Sequence, residues 1–132
     1  MTVGICGLGL IGGSLAKAYA LAGARVLGYD TDAGVCTLAM ADGVLAGLLT
    51  QETAAECELL LVAVYPQAAM EYMRRIAPFL KKETMLIDCC GTKRLVCEEG
   101  FRLAHEYGFT YVGGHPMAGT HFSGFAASRA TL

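Results

Sequence analysis

The chain has 132 residues, of which 55% are hydrophobic, and a formal net charge of −2 at pH 7. That length fits one domain with its own core. Its ten lysines and arginines are outnumbered by twelve acids, which argues against nucleic acid or an anionic membrane as the main partner. No apolar run approaches the roughly 20 residues that span a bilayer. The hydrophobic content instead indicates strands that are buried on both faces.

The amino terminus and the cysteines bear on the cellular compartment. No basic region followed by an apolar leader precedes the first strand, which predicts a cytoplasmic protein. The cysteines fall within predicted strands and helices without C-x-x-C spacing, so we expect reduced thiols. The spacing of cysteines and histidines does not match a zinc site, so we predict no bound metal. The cysteines are Cys6, Cys36, Cys57, Cys89, Cys90 and Cys97.

Strands and helices alternate along the chain. The predicted strands cover residues 2–6, 24–30, 58–64, 84–88 and 109–112. The predicted helices between them cover residues 10–22, 33–44, 67–80 and 93–107, and residues 47–54 are interpreted as a variable connection. Strict alternation is typical of an α/β protein with a doubly wound parallel sheet, a Rossmann-like fold. In that fold the loops at the carboxyl ends of the strands share one crevice.

A G-x-G-x-x-G motif stands between the first strand and the first helix, at Gly7-Leu8-Gly9-Leu10-Ile11-Gly12. Gly7 allows a tight turn, Gly9 lets backbone N–H groups approach a pyrophosphate, and Gly12 lets the helix lie close to the strand. Such a motif alone is weak evidence in a chain with 17 glycines. Its position between a strand and a helix is what predicts a dinucleotide cofactor.

The second predicted strand ends in Asp30, 18 residues beyond Gly12. About 20 residues are expected before the acid that binds the adenosine ribose hydroxyls. Because a carboxylate repels a 2′-phosphate, Asp30 predicts NAD rather than NADP. Asp32 is a second acid nearby, which we interpret as the N-cap of the next helix. We therefore assign cofactor binding to Gly7, Gly9, Leu10, Ile11, Gly12, Asp30, Val64 and Tyr65.

The loop over residues 113–124 follows the last predicted strand and holds two of the three histidines, four glycines and a proline. Ordering such a loop costs entropy and contributes little to the core, which favours a functional role. His115 lies just beyond the strand and is the candidate general acid or base at the height of the cofactor. His121 is a second candidate, and an ordinary surface histidine is the alternative interpretation for both.

Three segments resemble the motifs of the prephenate dehydrogenase family: residues 7–14, residues 88–93, and residues 113–120 with Ser123-Gly124. The resemblance covers essentially the whole chain. It implies an oxidative decarboxylation of prephenate to 4-hydroxyphenylpyruvate in tyrosine biosynthesis, or of arogenate to tyrosine, with NAD as hydride acceptor. It also implies that His115 accepts a hydrogen bond from the substrate hydroxyl and takes its proton.

The chain departs from the family pattern at two positions of the site. Gly91 stands where many members have a serine that hydrogen-bonds to substrate and histidine, and Thr92 follows it. His121 stands where a glutamate is frequent. The serine role therefore cannot be carried over, and the role of His121 stays open. Lys93 begins a predicted helix and is a further candidate to face the crevice.

The resemblance also implies a longer protein, because family members continue into a helical domain. That domain supplies a dimer interface and an arginine for the substrate carboxylate. On this interpretation residues 1–132 are the dinucleotide-binding domain, a fragment of a homodimeric enzyme that binds cofactor better than it turns over substrate. Two other functions remain: a different NAD-dependent dehydrogenase, for example of 3-hydroxy acids, and a non-catalytic NAD-binding module, which Gly91 favours.

Overall fold

In a computed structural model, the structure describes residues 1–115 and 124–131. The strands are β1 (Thr2–Cys6), β2 (Arg25–Tyr29), β3 (Gly47–Leu48), β4 (Leu59–Val62), β5 (Met85–Asp88) and β6 (Thr110–Gly113). They form one sheet in the order β3-β2-β1-β4-β5-β6 with parallel pairing throughout. This order confirms the predicted doubly wound α/β fold, whose strand order reverses direction beside β1.

The helices lie close to their predicted positions. They are α1 (Leu10–Leu21), α2 (Ala33–Ala41), α3 (Pro66–Ile76) and α4 (Arg94–Tyr107). The sequence predicts α3 to about residue 80, with Pro78 expected to end or bend it, and the chain passes into a 3₁₀ turn over Ala77–Phe79. Pro78 has no backbone N–H to continue the α-helical hydrogen bonds, and the expected break is confirmed. The Asp32 carboxylate accepts a hydrogen bond from Gly34 N at 2.9 Å, which confirms the predicted N-cap of α2.

A sixth strand lies in the segment that we predicted as a variable connection, residues 47–54. Gly47 pairs with Leu27 and Leu48 pairs with Gly28, so β3 forms an edge of the sheet beside β2. The prediction of five strands was therefore wrong by one. Two residues are too few to show the period-2 pattern by which a strand is recognised in sequence.

The hydrophobic core lies on both faces of the sheet. In β4, Leu59 and Leu61 pack into the cluster beneath α1 and α2, while Leu60 and Val62 pack into the cluster beneath α3 and α4. Successive side chains of a strand point to opposite faces, and both faces are covered here. This explains why β4 is a continuous apolar run rather than an alternating one.

The cysteines are free thiols in the structure. Burial raises the pKa of Cys6 to about 12 and that of Cys57 to about 11, so both thiols stay protonated and pack as small apolar groups. Within residues 1–115 and 124–131, no three His, Cys, Asp or Glu side chains are grouped to hold a metal ion. In the same part of the chain, no helix has the length and apolarity to cross a membrane.

Candidate functional site

The turn from β1 into α1 requires glycine at two positions. Gly7 has a φ of +92°, and a Cβ atom there would lie 2.5 Å from the Ala63 carbonyl oxygen. A Cβ atom on Gly12 would lie 1.7 Å from the Gly7 carbonyl oxygen. Any side chain at either position would therefore push the first turn of α1 away from the strand ends.

Gly9 differs from these two glycines, because a Cβ atom there would meet no heavy atom within 4 Å. The packing of the protein thus leaves open space above Gly9. Gly9 is also the N-cap of α1 and has no side chain to occupy the N–H groups of the first helical turn. Free N–H groups at the positive end of a helix beside open space are suited to bind the pyrophosphate of a dinucleotide. The site therefore fits the predicted cofactor.

Asp30 follows β2 directly and is attached to the glycine loop. Its Oδ2 atom accepts a hydrogen bond from Leu8 N at 2.8 Å, and its Oδ1 atom accepts one from Asp32 N at 2.9 Å. A carboxylate has about four acceptor sites, so the two oxygens retain capacity for hydroxyl donors. The carboxylate is thus fixed in orientation and half-buried beside the loop.

A cavity of about 510 Å³ lies between the glycine loop, the end of β2 and α3. Gly7, Asp30 and Val64 all line it, so the structure brings these three predicted cofactor residues together. Leu10 and Ile11 are half-buried in the first turn of α1. Tyr65 is 87% exposed at the N-cap of α3 and is not among the residues that line the cavity.

His115 lies two residues beyond β6 and is exposed. A Cβ atom on Gly91 would lie 3.5 Å from His115 Nε2, an ordinary van der Waals contact. The loops after β5 and β6 meet here because these two parallel strands are neighbours. Position 91 therefore faces the candidate histidine, and it carries no hydroxyl. His121 falls outside the described residues.

A polar network beneath this loop pair was not foreseen. The Asp88 carboxylate at the end of β5 is fully buried. It accepts hydrogen bonds from Lys93 Nζ at 2.5 Å, from Cys90 N at 3.0 Å and from the Tyr111 hydroxyl. Lys93, a candidate to face the crevice, thus forms an ion pair with Asp88. A buried charge needs such partners. In the sequence, the feature that could have indicated this network is the aspartate at the end of an otherwise apolar strand.

The network connects the two loops of the candidate active site. Asp88 also receives a hydrogen bond at its backbone carbonyl oxygen from Gly114 N, at 2.9 Å. Its side chain binds the loop that carries Gly91, and its backbone binds the residue before His115. Burial and the hydrogen bond to Asp88 raise the pKa of Tyr111 well above its ordinary value, so this phenol stays a donor to the carboxylate.

Comparison with known proteins agrees with this geometry. The sequence model of the prephenate dehydrogenase nucleotide-binding domain matches residues 15–132. The chain belongs to the prephenate dehydrogenase family. It is 33% identical over 132 residues to the prephenate dehydrogenase of Lactococcus lactis subsp. cremoris (strain MG1363), an alignment that covers 97% of this chain. The chain spans 37% of that relative, a little over a third of its length. The family resemblance that the motifs indicated is confirmed.

Solved structures of the prephenate dehydrogenase family share the fold of this chain. Synechocystis arogenate dehydrogenase superposes with a TM-score of 0.88 at 23% identity, covering 97% of this chain and 45% of that one. Prephenate dehydrogenase from A. aeolicus, in complex with hydroxyphenyl propionate and NAD+, superposes with a TM-score of 0.82 at 24% identity. That alignment covers 98% of this chain and 46% of the other. These likenesses show the shared fold.

Proposed function

We propose that this chain is the NAD-binding domain of a dehydrogenase that converts prephenate to 4-hydroxyphenylpyruvate. The observation that carries the proposal is that residue 91 lies against His115. It is made in a chain of the prephenate dehydrogenase family whose glycine loop is hydrogen-bonded to Asp30 through Leu8 N. The loops after β1, β2, β5 and β6 lie at the carboxyl edge of one parallel sheet, where ligands of this fold class bind.

The cofactor is assigned to the residues around the open space above Gly9. The first turn of α1, with Leu10 and Ile11, binds the pyrophosphate, and Asp30 accepts hydrogen bonds from the adenosine ribose hydroxyls. Val64 contributes an apolar wall of the cavity. The Asp30 charge disfavours a 2′-phosphate, which supports NAD over NADP. When bound, NAD supplies the acceptor for the hydride that leaves the substrate.

We assign to His115 the role of accepting the proton of the substrate hydroxyl. The ring carbon that bears this hydroxyl loses hydride, the hydroxyl proton passes to the imidazole, and the ring carboxylate leaves as carbon dioxide. Imidazole suits this step because it accepts a proton near neutral pH. Aromatisation makes the reaction strongly downhill, so the protein has chiefly to orient the ring and polarise the hydroxyl.

Arogenate is the alternative substrate, and dimer formation and a cytoplasmic location likewise remain predictions. One specific observation favours a second function, a non-catalytic NAD-binding module: residue 91 faces His115 without a hydroxyl. A module of that kind would retain the cavity beside Asp30 and the glycine loop but would not turn over either substrate.

Two measurements test the proposal. Calorimetric titration of the chain should show saturable NAD binding that is at least about tenfold tighter than NADP binding. The chain, joined to the remainder of its gene product, should form NADH with prephenate at a higher kcat/KM than with arogenate. Failure to bind NAD would contradict the cofactor assignment. Tight binding without turnover of either substrate, or of 3-hydroxy acids, would support the non-catalytic module.

A further inference from the structure

One wall of the cavity beside Asp30 has no part in the binding of the ribose or the pyrophosphate as assigned above. That wall is one face of α3, whose lining residues are Ala68, Glu71, Tyr72, Arg74 and Arg75. Asp30 lines two cavities, this one and one of about 390 Å³ beside α2. If Asp30 holds the adenosine ribose, we place the attached base in the first of them, because that cavity also contains Gly7 of the glycine loop. The residues of α3 therefore face the base.

The wall is built on two stacked tyrosines. The rings of Tyr29 and Tyr72 have centroids 5.6 Å apart and an interplanar angle of 20°. Tyr72 is buried, and its hydroxyl has no hydrogen-bond partner among the described residues. Burial raises the pKa of this phenol well above its ordinary value, so Tyr72 presents an uncharged ring.

Arg75 lies over both tyrosine rings. Its guanidinium carbon is 5.9 Å from the centroid of the Tyr29 ring and 5.7 Å from that of the Tyr72 ring. Both distances are within the roughly 6 Å at which a cation interacts with an aromatic face. The side chain is exposed and lines the cavity.

The neighbouring arginine is held differently. Arg74 Nε lies 3.2 Å from Glu99 Oε1, which commits Arg74 to an ion pair with α4. The ion pairs of residues 1–115 and 124–131 do not include Arg75. Both arginines line the cavity, but Arg74 is committed to an ion pair with Glu99, whereas Arg75 lies against the two tyrosine rings.

We propose that Arg75, supported by Tyr29 and Tyr72, binds the adenine base of the dinucleotide by stacking its guanidinium plane against the ring. This inference rests on the proposed NAD-binding function. Guanidinium groups stack on planar heteroaromatic rings because they are flat, delocalised and weakly hydrated. Because Arg75 already contacts the tyrosine pair, less side-chain entropy is lost when it binds the base.

The test is a calorimetric titration of the chain and three variants with NAD. Arg75→Ala should weaken NAD binding by about tenfold, and Arg75→Lys should weaken it nearly as much, because lysine keeps the charge but not the plane. The control is Arg94→Ala on α4, which removes a solvent-exposed arginine away from the cavity and should stay within about twofold of the wild type. Thermal unfolding of each variant checks that the fold is unchanged.

A second ligand separates base stacking from other roles of the arginine. With nicotinamide cytosine dinucleotide, whose base is smaller, Arg75→Ala should lose no more than about threefold in affinity. Titration with NADP tests whether the guanidinium binds a phosphate instead. A selective loss of NADP affinity in Arg75→Ala, or NAD affinity fully retained in Arg75→Lys, would overturn the stacking role.

The outcomes also separate this inference from the function on which it depends. Normal NAD binding by the wild type together with normal binding by Arg75→Ala would overturn only the role of Arg75. Absence of NAD binding by the wild type would overturn the proposed function and this inference with it.

Discussion

The two ends of the crevice are built in different ways. At the proposed cofactor end, backbone geometry determines the site: Gly7 and Gly12 permit the turn, and Asp30 binds the N–H of Leu8. At the proposed catalytic end, side chains from distant parts of the sequence determine it, since Asp88 binds Lys93 and Tyr111. One end is a property of a local sequence motif, and the other is a property of tertiary packing.

This difference indicates at which positions the chain can accept substitutions. A backbone-built site tolerates few substitutions, because a Cβ atom at Gly7 or Gly12 collides with main-chain oxygen. A side-chain-built site can lose one polar group and retain its frame, as position 91 shows, where glycine faces His115. The following variants separate the two ends, beginning with the largest expected effect.

His115→Asn should separate catalysis from cofactor binding most strongly. We expect kcat for prephenate to fall by about two to four orders of magnitude, because asparagine cannot accept the hydroxyl proton. NAD affinity should stay nearly unchanged. Steady-state NADH formation, measured in the chain joined to the remainder of its gene product, checks the first expectation, and calorimetry checks the second. A variant with wild-type turnover would remove His115 from the mechanism.

Asp30→Arg should act on the cofactor end alone. Loss of the ribose acceptor and gain of a positive charge should weaken NAD binding by about a hundredfold. The control is Asp30→Asn, whose amide oxygen can still accept the hydrogen bond from Leu8 N. If Asp30→Asn retains its fold yet binds NAD more weakly than the wild type, the loss reflects the ribose contact rather than a collapsed loop. Equal NAD affinity in Asp30→Arg and the wild type would contradict the ribose assignment.

Lys93→Met should damage the catalytic end without affecting the cofactor end. The substitution leaves the fully buried Asp88 without its cation, and we expect the free energy of unfolding to fall by about 2 to 4 kcal/mol. Urea denaturation measures this change. The neighbouring Arg94→Met removes a solvent-exposed pair with Glu98 at 3.8 Å and should cost no more than about 0.5 kcal/mol. Similar losses in both variants would mean that the buried pair contributes little.

Gly91→Ser should produce the smallest effect, and it should raise turnover rather than lower it. A Cβ atom fits there at 3.5 Å from His115 Nε2, and a hydroxyl on it would reach the imidazole. We expect turnover to rise a few-fold, on the order of 1 kcal/mol of hydrogen-bond energy. Gly91→Ala supplies the control, since it adds the Cβ atom without the hydroxyl. Lower activity in Gly91→Ser than in Gly91→Ala would show that this chain has replaced the serine by another arrangement.

The same contrast explains how much the sequence could predict. The strand before Gly7, the helix after it and the acid at Asp30 were all predictable, because hydrophobic periodicity and a fixed spacing define them within 30 residues. The N-cap at Asp32 was predictable for the same reason. Each of these features depends on neighbours along the chain.

The remaining features depend on partners that are distant in sequence. β3 exists only through two pairings with β2, so its own two residues carry no pattern. The contact of Lys93 with Asp88 was missed because a helix-start lysine beside a loop is equally compatible with the crevice. Tyr111 reaches Asp88 across 23 positions of sequence, and nothing in the alternation of β6 indicates that its hydroxyl is needed.

The hydrogen bond from Leu8 N to Asp30 has a consequence for redesign of this fold. On the proposed function, one carboxylate would both close the loop and select the cofactor, so a replacement that cannot accept a hydrogen bond from the Leu8 amide would alter cofactor preference and loop shape together. An exchange toward a 2′-phosphorylated cofactor would need a second substitution that gives the Leu8 amide a new acceptor. A drift in cofactor use through single replacements of Asp30 would therefore first pass through a loosened turn.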